Sequence, residues 1–382
     1  MIKIALVTAT RAEYGILSPL IHKLSNDDDF DLQLLVTGTH LSKKYGNTLT
    51  DIENDGFNIY KKFPILAVTN TAKDISFIIA NALQQFALYF HAEKPDCVII
   101  LGDRTEMFGI SIAAMNAGVP IVHLHGGELT EGAIDDCIRH SITKQAYLHF
   151  PSTEIYRKRI IQMGENPRRV FNVGALGVEN ILNVPLFDRN QVCNEVGIPQ
   201  NIKYAAVTFH PVTLEKGSEK EQANCLITAM DKKNEYFYLI TMANADTGGE
   251  IVNEMLKQYS LSRSNVKFVT SLGMQRYLSV VKHAQFVLGN SSSGIIEAPS
   301  LGTPTVNIGD RQKGRIMAES VINCRPETND IIRAIEKSEI MIHTPSFIYG
   351  DGNTSSKICS ILKETFYNNR VNLKKKFYDI NF

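Results

Sequence analysis

Short apolar runs, each closed by a polar cluster and followed by a stretch of helical periodicity, recur along this chain. The first is IKIALV at 2–7; behind it Ile16, Leu17, Leu20, Ile21 and Leu24 share one helical face. Further runs lie at 32–36, 96–101, 119–124, 147–150 and 170–173, separated by helical patterns at 71–91, 106–117, 134–146 and 152–163. Such alternation admits few folds: the strands are predicted to lie parallel in a doubly wound α/β sheet. The segment 183–197, with Pro185 and mixed polarity, interrupts the rhythm. It then restarts, with strands predicted at 204–208, 236–241, 266–269, 286–288 and 305–308 and helices at 219–230, 250–259, 274–283 and 295–301. A chain of 382 residues exceeds one ordinary core, and two domains of roughly 150–200 residues each are expected. A last helical pattern spans 355–367, before a basic Lys374-Lys375-Lys376 tail of a kind usually solvated.

The densest chemistry follows the run at 119–124. His123 and His125 are two apart, so on a strand they share a face. Gly126-Gly127 breaks the strand, and Glu128, Asp135, Asp136, Arg139 and His140 follow. Single residues of this kind are ordinarily surface charges; together, beyond a strand's carboxyl end, they mark a functional site. His123-x-His125 also has the spacing of a metal pair, which Asp135 or His140 could complete. Other strands end in polar residues too: Arg11, His40 and Asp103-Arg104 would converge on the same edge.

In the second half, Gly289-Asn290-Ser291-Ser292-Ser293-Gly294 follows a strand and opens a helix. Backbone N–H groups there, with serine hydroxyls beside them, suit a phosphate; the plainer reading is a serine-rich helix cap. Glu297, on the helix's first turn, suits ribose hydroxyls better than phosphate. Gly309-Asp310-Arg311-Gln312-Lys313-Gly314-Arg315 brings basic residues to the next strand end, and His210 follows the strand at 204–208. No Walker A sequence is present, and no G-x-G-x-x-G follows the first strand, so NAD is not indicated.

Lys+Arg and Asp+Glu are 40 each, so the net charge is zero. That argues against nucleic acid or an anionic membrane held by bulk charge, while leaving room for a local anion site. The opening MIKIALVTAT is too short to span a membrane and lacks a signal-peptide cleavage pattern. None of the six cysteines is paired at C-x-x-C spacing, which fits reduced packing residues and a cytoplasmic protein.

TATRAEYG (8–15), LGDRTE (101–106), HLHGGELTEGAIDDCIRH (123–140), FHPVT (209–213), GNSSSGIIEAPS (289–300) and GDRQKGR (309–315) together resemble the hydrolysing UDP-N-acetylglucosamine 2-epimerases of bacterial sialic acid synthesis. The resemblance runs in order over nearly the whole chain. Non-hydrolysing relatives carry His-Arg-Arg where this chain has His210-Pro211-Val212, which favours the hydrolysing branch. The resemblance implies a GT-B-like fold with two Rossmann-type domains and the active site in their cleft. The domains would be 1–182, joined by a C-terminal helix at about 360–382, and 188–358. It implies no NAD and no metal, a UDP-sugar substrate, and a homodimer or homotetramer. By motif position, Asp103 and Asp135 are the acid/base pair, and Glu128 holds the sugar or shares the proton work. His125 stands where part of the family has a glutamate and takes a proton-transfer or electrostatic role. By the same matching Arg11, Arg104, His210, Ser291, Ser292 and Gly294 hold the UDP phosphates, and Glu297 the ribose. Arg311 and Asn244 line the cleft, and His40 lies near the sugar. Three other readings stay open: the same reaction on UDP-2,4-diacetamido-2,4,6-trideoxyglucose, a GT-B glycosyltransferase, and a UDP-sugar-binding regulator without catalysis.

Overall fold

The structure, a computed structural model, describes residues 1–42, 48–66, 72–129, 134–210, 219–242, 249–367 and 371–380. It has two compact units, Met1–Asn180 with Tyr349–Phe382, and Ile181–Ile348. In the first unit six strands are β1 (Ile2–Thr8), β2 (Phe30–Thr37), β3 (Ile59–Phe63), β4 (Cys97–Leu101), β5 (Ile121–Leu124) and β6 (Leu148–Phe150). They form a parallel sheet in the order β3-β2-β1-β4-β5-β6. Side chains alternate across it, which explains why the runs are apolar throughout: both faces are covered. Ile4 and Leu6 pack with Leu17, Leu20 and Ile21 of the helix Arg11–Ser25 on one face. Ala5 and Val7 pack with Phe86, Phe90 and Ile110 on the other. Each fully buried Leu or Ile contributes about 1.5–3 kcal/mol relative to exposure.

The second unit repeats the plan with β7 (Tyr204–Thr208), β8 (Phe237–Thr241), β9 (Val266–Val269), β10 (Phe286–Gly289), β11 (Thr305–Ile308) and β12 (Val321–Cys324). Their order is β12-β11-β10-β7-β8-β9, again parallel, around a core that includes Val207, Tyr238, Phe286, Val306 and Ile331. Both sheets reverse strand order between their first and fourth strands, at β1/β4 and β7/β10. Loops leaving the carboxyl ends there diverge, which is where sheets of this kind place ligands.

The structure departs from the sequence reading in several places. Residues 349–358 belong to the first unit, because Tyr349 O accepts from Ala175 N at 2.6 Å and Thr354 Oγ1 donates to Val173 O at 3.1 Å. The helix expected over about 360–382 is Thr354–Phe366, whose Ile358, Cys359 and Leu362 enter the first core; residues 371–380 have no regular structure. The strand expected at 170–173 is a single bridge between His149 and Val170. In place of a helix at 295–301 stand a 3-10 turn, Ser292–Gly294, and the one-turn helix Glu297–Ser300, shortened by Pro299. The 183–197 segment contains a helix, Arg189–Val196, with a capping box between Asp188 and Gln191 and Gly197 at its end.

Candidate active site

The register of the first sheet sets its chemistry. Leu101 pairs with Leu124, so β4 and β5 end level, and Asp103 and His125 emerge side by side. His125 is not on the strand: its φ of 60° is left-handed, a conformation that costs a non-glycine residue on the order of 1 kcal/mol. The turn is held because His125 N donates to Phe150 O at 3.0 Å, and Gly127, at φ 79°, passes where a Cβ would collide with Tyr156 O. The turn aims the two histidines apart. His123 is fully buried, its Nε2 at 2.8 Å from Gly102 O and its Nδ1 at 3.2 Å from Thr143 Oγ1. Burial holds it neutral, with a pKa of about 3. His123 therefore braces the loop carrying Asp103, and the two histidines do not form a metal pair. Among the described residues no group of three or more His, Cys, Asp or Glu is arranged to hold a metal.

His125 Nδ1 lies 3.2 Å from Glu128 Oε1, which also accepts from Ser152 Oγ at 3.1 Å. Its Nε2 is buried without a hydrogen-bond partner. Arg139, 6 % exposed, reaches across from the helix Ile134–Gln145. It bonds Asp103 Oδ2, Glu128 O at 2.9 Å and Asp136 Oδ1 at 3.4 Å. One guanidinium thus fixes the acid after β4 to the loop after β5. Asp135, on the first turn of that helix, has its pKa raised by burial, with the Arg104 charge opposing. One carboxyl raised by burial and another held in an ion pair is a pattern by which two acids divide acid and base roles.

Arg104 donates to Glu106 Oε1 at 2.7 Å and lies 4.0 Å from Glu13 Oε2. Burial works against its charge, and the Glu106 and Glu13 carboxylates more than offset this, raising its pKa. Glu13 accepts from Ala9 N at 3.1 Å, and its Oε1 is buried without a partner. Burial raises its pKa to about 7 against the Arg104 charge. His40 is fully buried, with Thr8 Oγ1 at 3.0 Å from Nε2 and Thr48 Oγ1 at 2.8 Å from Nδ1. Burial lowers its pKa to about 4, so it is a neutral brace. Arg11 is exposed, 3.3 Å from Asp51.

In the second unit Gly289 ends β10 at φ 136°, where a Cβ would strike the Thr208 carbonyl of β7. Asn290 follows, fully buried. Its side chain accepts from His210 N at 2.7 Å and donates to His210 O at 2.8 Å. Its carbonyl accepts from Arg311 at 3.1 Å and from Gln312 at 2.9 Å. One asparagine thereby ties together the exits of β7, β10 and β11. Ser291 caps the 3-10 turn, and Tyr277 donates to Ser293 Oγ at 2.7 Å. The N–H groups of Gly294, Ile295 and Ile296 are spent on Ser291 and Ser292 carbonyls, so Gly294 serves the turn itself. Glu297 has its pKa raised by burial, and its Oε2 is buried without a partner. At the ends of β11 and β12 a cavity of about 560 Å³ is lined by residues that include Asn307, Asp310, Lys313, Arg315 and Arg325.

The family model described as UDP-N-acetylglucosamine 2-epimerase matches residues 22–363. The chain belongs to that family. The chain is 42% identical over 338 residues to the GDP/UDP-N,N'-diacetylbacillosamine 2-epimerase (hydrolyzing) of Campylobacter jejuni, covering 88% of this chain and 87% of the relative. It is 40% identical to the polysialic acid biosynthesis protein P7 of Escherichia coli, covering 100% and 98%. The crystal structure of UDP-GlcNAc 2-epimerase from Neisseria meningitidis bound to UDP-GlcNAc superposes with a TM-score of 0.80 at 20% identity, covering 95% and 100%. The fold expected from sequence, GT-B-like with two Rossmann-type parallel-sheet domains, is thus that of the family's solved members.

In this chain the structure gathers Asp103, Glu128, His125, Asp135 and Arg104 at the carboxyl edge of the first sheet. It gathers His210, Ser291, Ser292, Gly294 and Arg311 at that of the second, around Asn290, with Glu297 on the short helix that follows. Asn244 lies outside the described residues. His40, expected near the sugar, is fully buried between Thr8 and Thr48. The sequence reading left Glu13, Arg139 and Asn290 without roles. Glu13 sits in the TATRAEYG motif at helix-capping distance from Thr10, and Asn290 in the GNSSSG motif; both look like helix-start residues until their partners are known. Among the described residues no helix is long and apolar enough to cross a membrane.

Proposed function

We propose that the chain is a hydrolysing UDP-GlcNAc 2-epimerase, converting UDP-N-acetylglucosamine and water to N-acetylmannosamine and UDP for sialic acid synthesis. The observation that carries this is the first-sheet cluster: a buried imidazole nitrogen without a partner, backed by Glu128 and set beside the Arg139-bound Asp103. In the first step the anomeric C–O bond breaks, UDP takes the electron pair, and a carboxylate removes the C2 proton, leaving 2-acetamidoglucal. In the second an acid returns a proton to C2 on the opposite face while water adds at C1. Asp103 and Asp135 supply the acid and base, and His125, oriented by Glu128, carries a proton or stabilises charge. The Ser291–Ser292 turn, His210 and Arg311 hold the diphosphate, and Glu297 the ribose. No step calls for NAD or a metal. As a nucleotide-sugar enzyme it would work in the cytoplasm, as a homodimer or homotetramer, which light scattering would establish.

A second reading keeps the reaction and changes the sugar to UDP-2,4-diacetamido-2,4,6-trideoxyglucose; the 42% identity to the Campylobacter relative favours it. The deciding experiment incubates the protein with each UDP-sugar in D2O and EDTA, followed by proton and phosphorus NMR. Free UDP with N-acetylmannosamine deuterated at C2 is the expected result. UDP-N-acetylmannosamine instead would refute the hydrolysing assignment. Turnover of the diacetamido sugar alone would move the chain to the second reading, and tight binding without turnover would reduce it to a UDP-sugar-binding protein.

A further inference from the structure

Far along the chain from the catalytic loops, residues 371–380 run over the first unit without regular structure. Their backbone is fastened by Tyr378 N donating to Gly164 O at 2.9 Å and by Arg169 donating to Asn372 O at 3.4 Å. Phe377 lies against Gly164, where a Cβ would collide with its ring, and under the Lys144 ammonium at 5.3 Å. Most of this strap is exposed, but the Lys375 side chain enters the fold. Its Nζ donates to the carbonyls of Lys144 at 2.9 Å and Ala146 at 2.8 Å and lies 2.6 Å from Glu165 Oε2. Glu165 is 1 % exposed. It also accepts from Lys144 at 2.6 Å and lies 3.2 Å from Nε2 of His149, which is fully buried. Burial acts against the Glu165 charge, but the imidazole and two ammonium groups outweigh it and hold its pKa at about 2. His149 stays neutral through burial, so its Nε2–H donates to the carboxylate.

His149 sits in β6, opposite His123 of β5. The next residue, Phe150, supplies the carbonyl that holds His125 in its left-handed turn, and Ser152 supplies the hydroxyl that holds Glu128. We propose that Lys375 and Glu165 are positioning residues: the strap, through Lys375, Glu165 and His149, sets the end of β6, and β6 sets His125 and Glu128. The fold explains why a remote segment is needed. β6 is an edge of its sheet and only three residues long: one ladder, to β5, fixes one side, and on the other the backbone has the bridge to Val170, with Phe171 N donating to His149 O at 3.0 Å. The buried carboxylate adds a side-chain constraint to that sparse pairing, and the two ammonium groups offset its charge there. The catalytic consequence rests on the proposed epimerase reading; the structural one does not.

The test uses the full chain with Lys375→Met, and Lys376→Met as its neighbour control. Histidine-ring 1H–15N spectra, assigned with His125→Gln and His149→Gln, report the site without substrate. Lys375→Met is expected to move the His125 and His149 resonances and lower kcat by about 10–100-fold, with KM for the UDP-sugar changed less than about 3-fold. Lys375→Arg should restore part of kcat, and Lys376→Met should change neither reading. A Lys375→Met protein that melts earlier yet keeps the wild-type kcat and His125 resonances would overturn the proposal, leaving the strap a plain stabiliser. If Lys375→Met does not fold, Phe377→Ala, which loosens the strap without stranding a buried charge, decides by the same two readings. A wild-type protein that turns over no UDP-sugar would refute the epimerase reading, while the spectra would still judge the strap.

Discussion

The two sheets share one strand order and use their carboxyl edges in opposite ways. In the first, the loops after β4 and β5 bring ionisable side chains into contact: Asp103 with Arg139, His125 with Glu128, Arg104 with Glu106 and Glu13. In the second, the loops after β7, β10 and β11 are tied by one neutral residue, Asn290, through its side chain to His210 and its main-chain carbonyl to Arg311 and Gln312, and present a serine turn flanked by basic residues. Two sheets of one strand order thus carry clustered ionisable side chains in one unit and an asparagine-tied serine turn in the other, and the proposed function gives proton transfer to the first and the diphosphate to the second. Topology tells where a ligand sits; only the loop chemistry tells what happens to it.

If that division holds, variants in the two units should separate kcat from KM. The largest effect is expected from Asp103→Asn, which keeps an oxygen for Arg139 but removes the ionisable group. Its kcat should fall by about three orders of magnitude with KM changed little. UDP release measured against substrate concentration would show this, and a KM effect alone would break the comparison. Next is Asn290→Ala, which removes both side-chain bonds to the His210 backbone at the β7 exit while keeping the main-chain carbonyl that Arg311 and Gln312 use. Stability should drop by about 2–3 kcal/mol in urea titration, and KM should rise more than kcat falls. A kcat loss with unchanged KM would place chemistry in the second unit.

How far the sequence announces this follows from what each element faces. Strands buried on both faces, such as β1, β4 and β7, read as continuous apolar runs and stand out at once. The two that lack such runs, β3 with exposed Tyr60, Lys61 and Lys62 and β12, each lie at one edge of their sheet, while β6 and β9 at the opposite edges are less exposed and do stand out. An edge strand carries polar side chains because one of its sides meets water. The helix Arg189–Val196 is short and polar, marked mainly by its caps. At the site, Asp103, His125 and Glu128 were legible because they directly follow strands, and strand ends are readable. Arg139 acquires its role only by reaching Asp103 on a different element, and Asn290 only by meeting His210. The left-handed turn at His125 also hid from pattern reading, since alternation would have put both histidines on one face. Long-range pairing is set by the folded chain and leaves no local periodicity.

The smallest predicted effect concerns the one carboxyl of the first-sheet cluster whose pKa burial raises to neutrality. Glu13 has its pKa raised from 4.5 to about 7. The folded state therefore binds this proton more tightly than the unfolded chain does. Its contribution is fully present below about pH 4.5 and is lost as pH rises through about 7. Above neutrality the buried charge is a burden that Arg104, 4.0 Å away, only partly offsets. Glu13→Gln keeps an oxygen for the Ala9 N–H and removes the charge. It should leave stability near that of the wild type at pH 5 and raise it at pH 8.5. The shift, which already includes the Arg104 attraction, caps the gain near 3 kcal/mol, and relaxation around the ionised carboxyl lowers it to on the order of 1 kcal/mol. Urea titrations across pH 5–9 would measure it. A flat difference between the two proteins would mean that Glu13 is ionised throughout and that Arg104 compensates it fully. The first-sheet cluster would then resemble the second in being electrostatically settled before substrate arrives, and the contrast between the two edges would narrow to the carboxylates around His125.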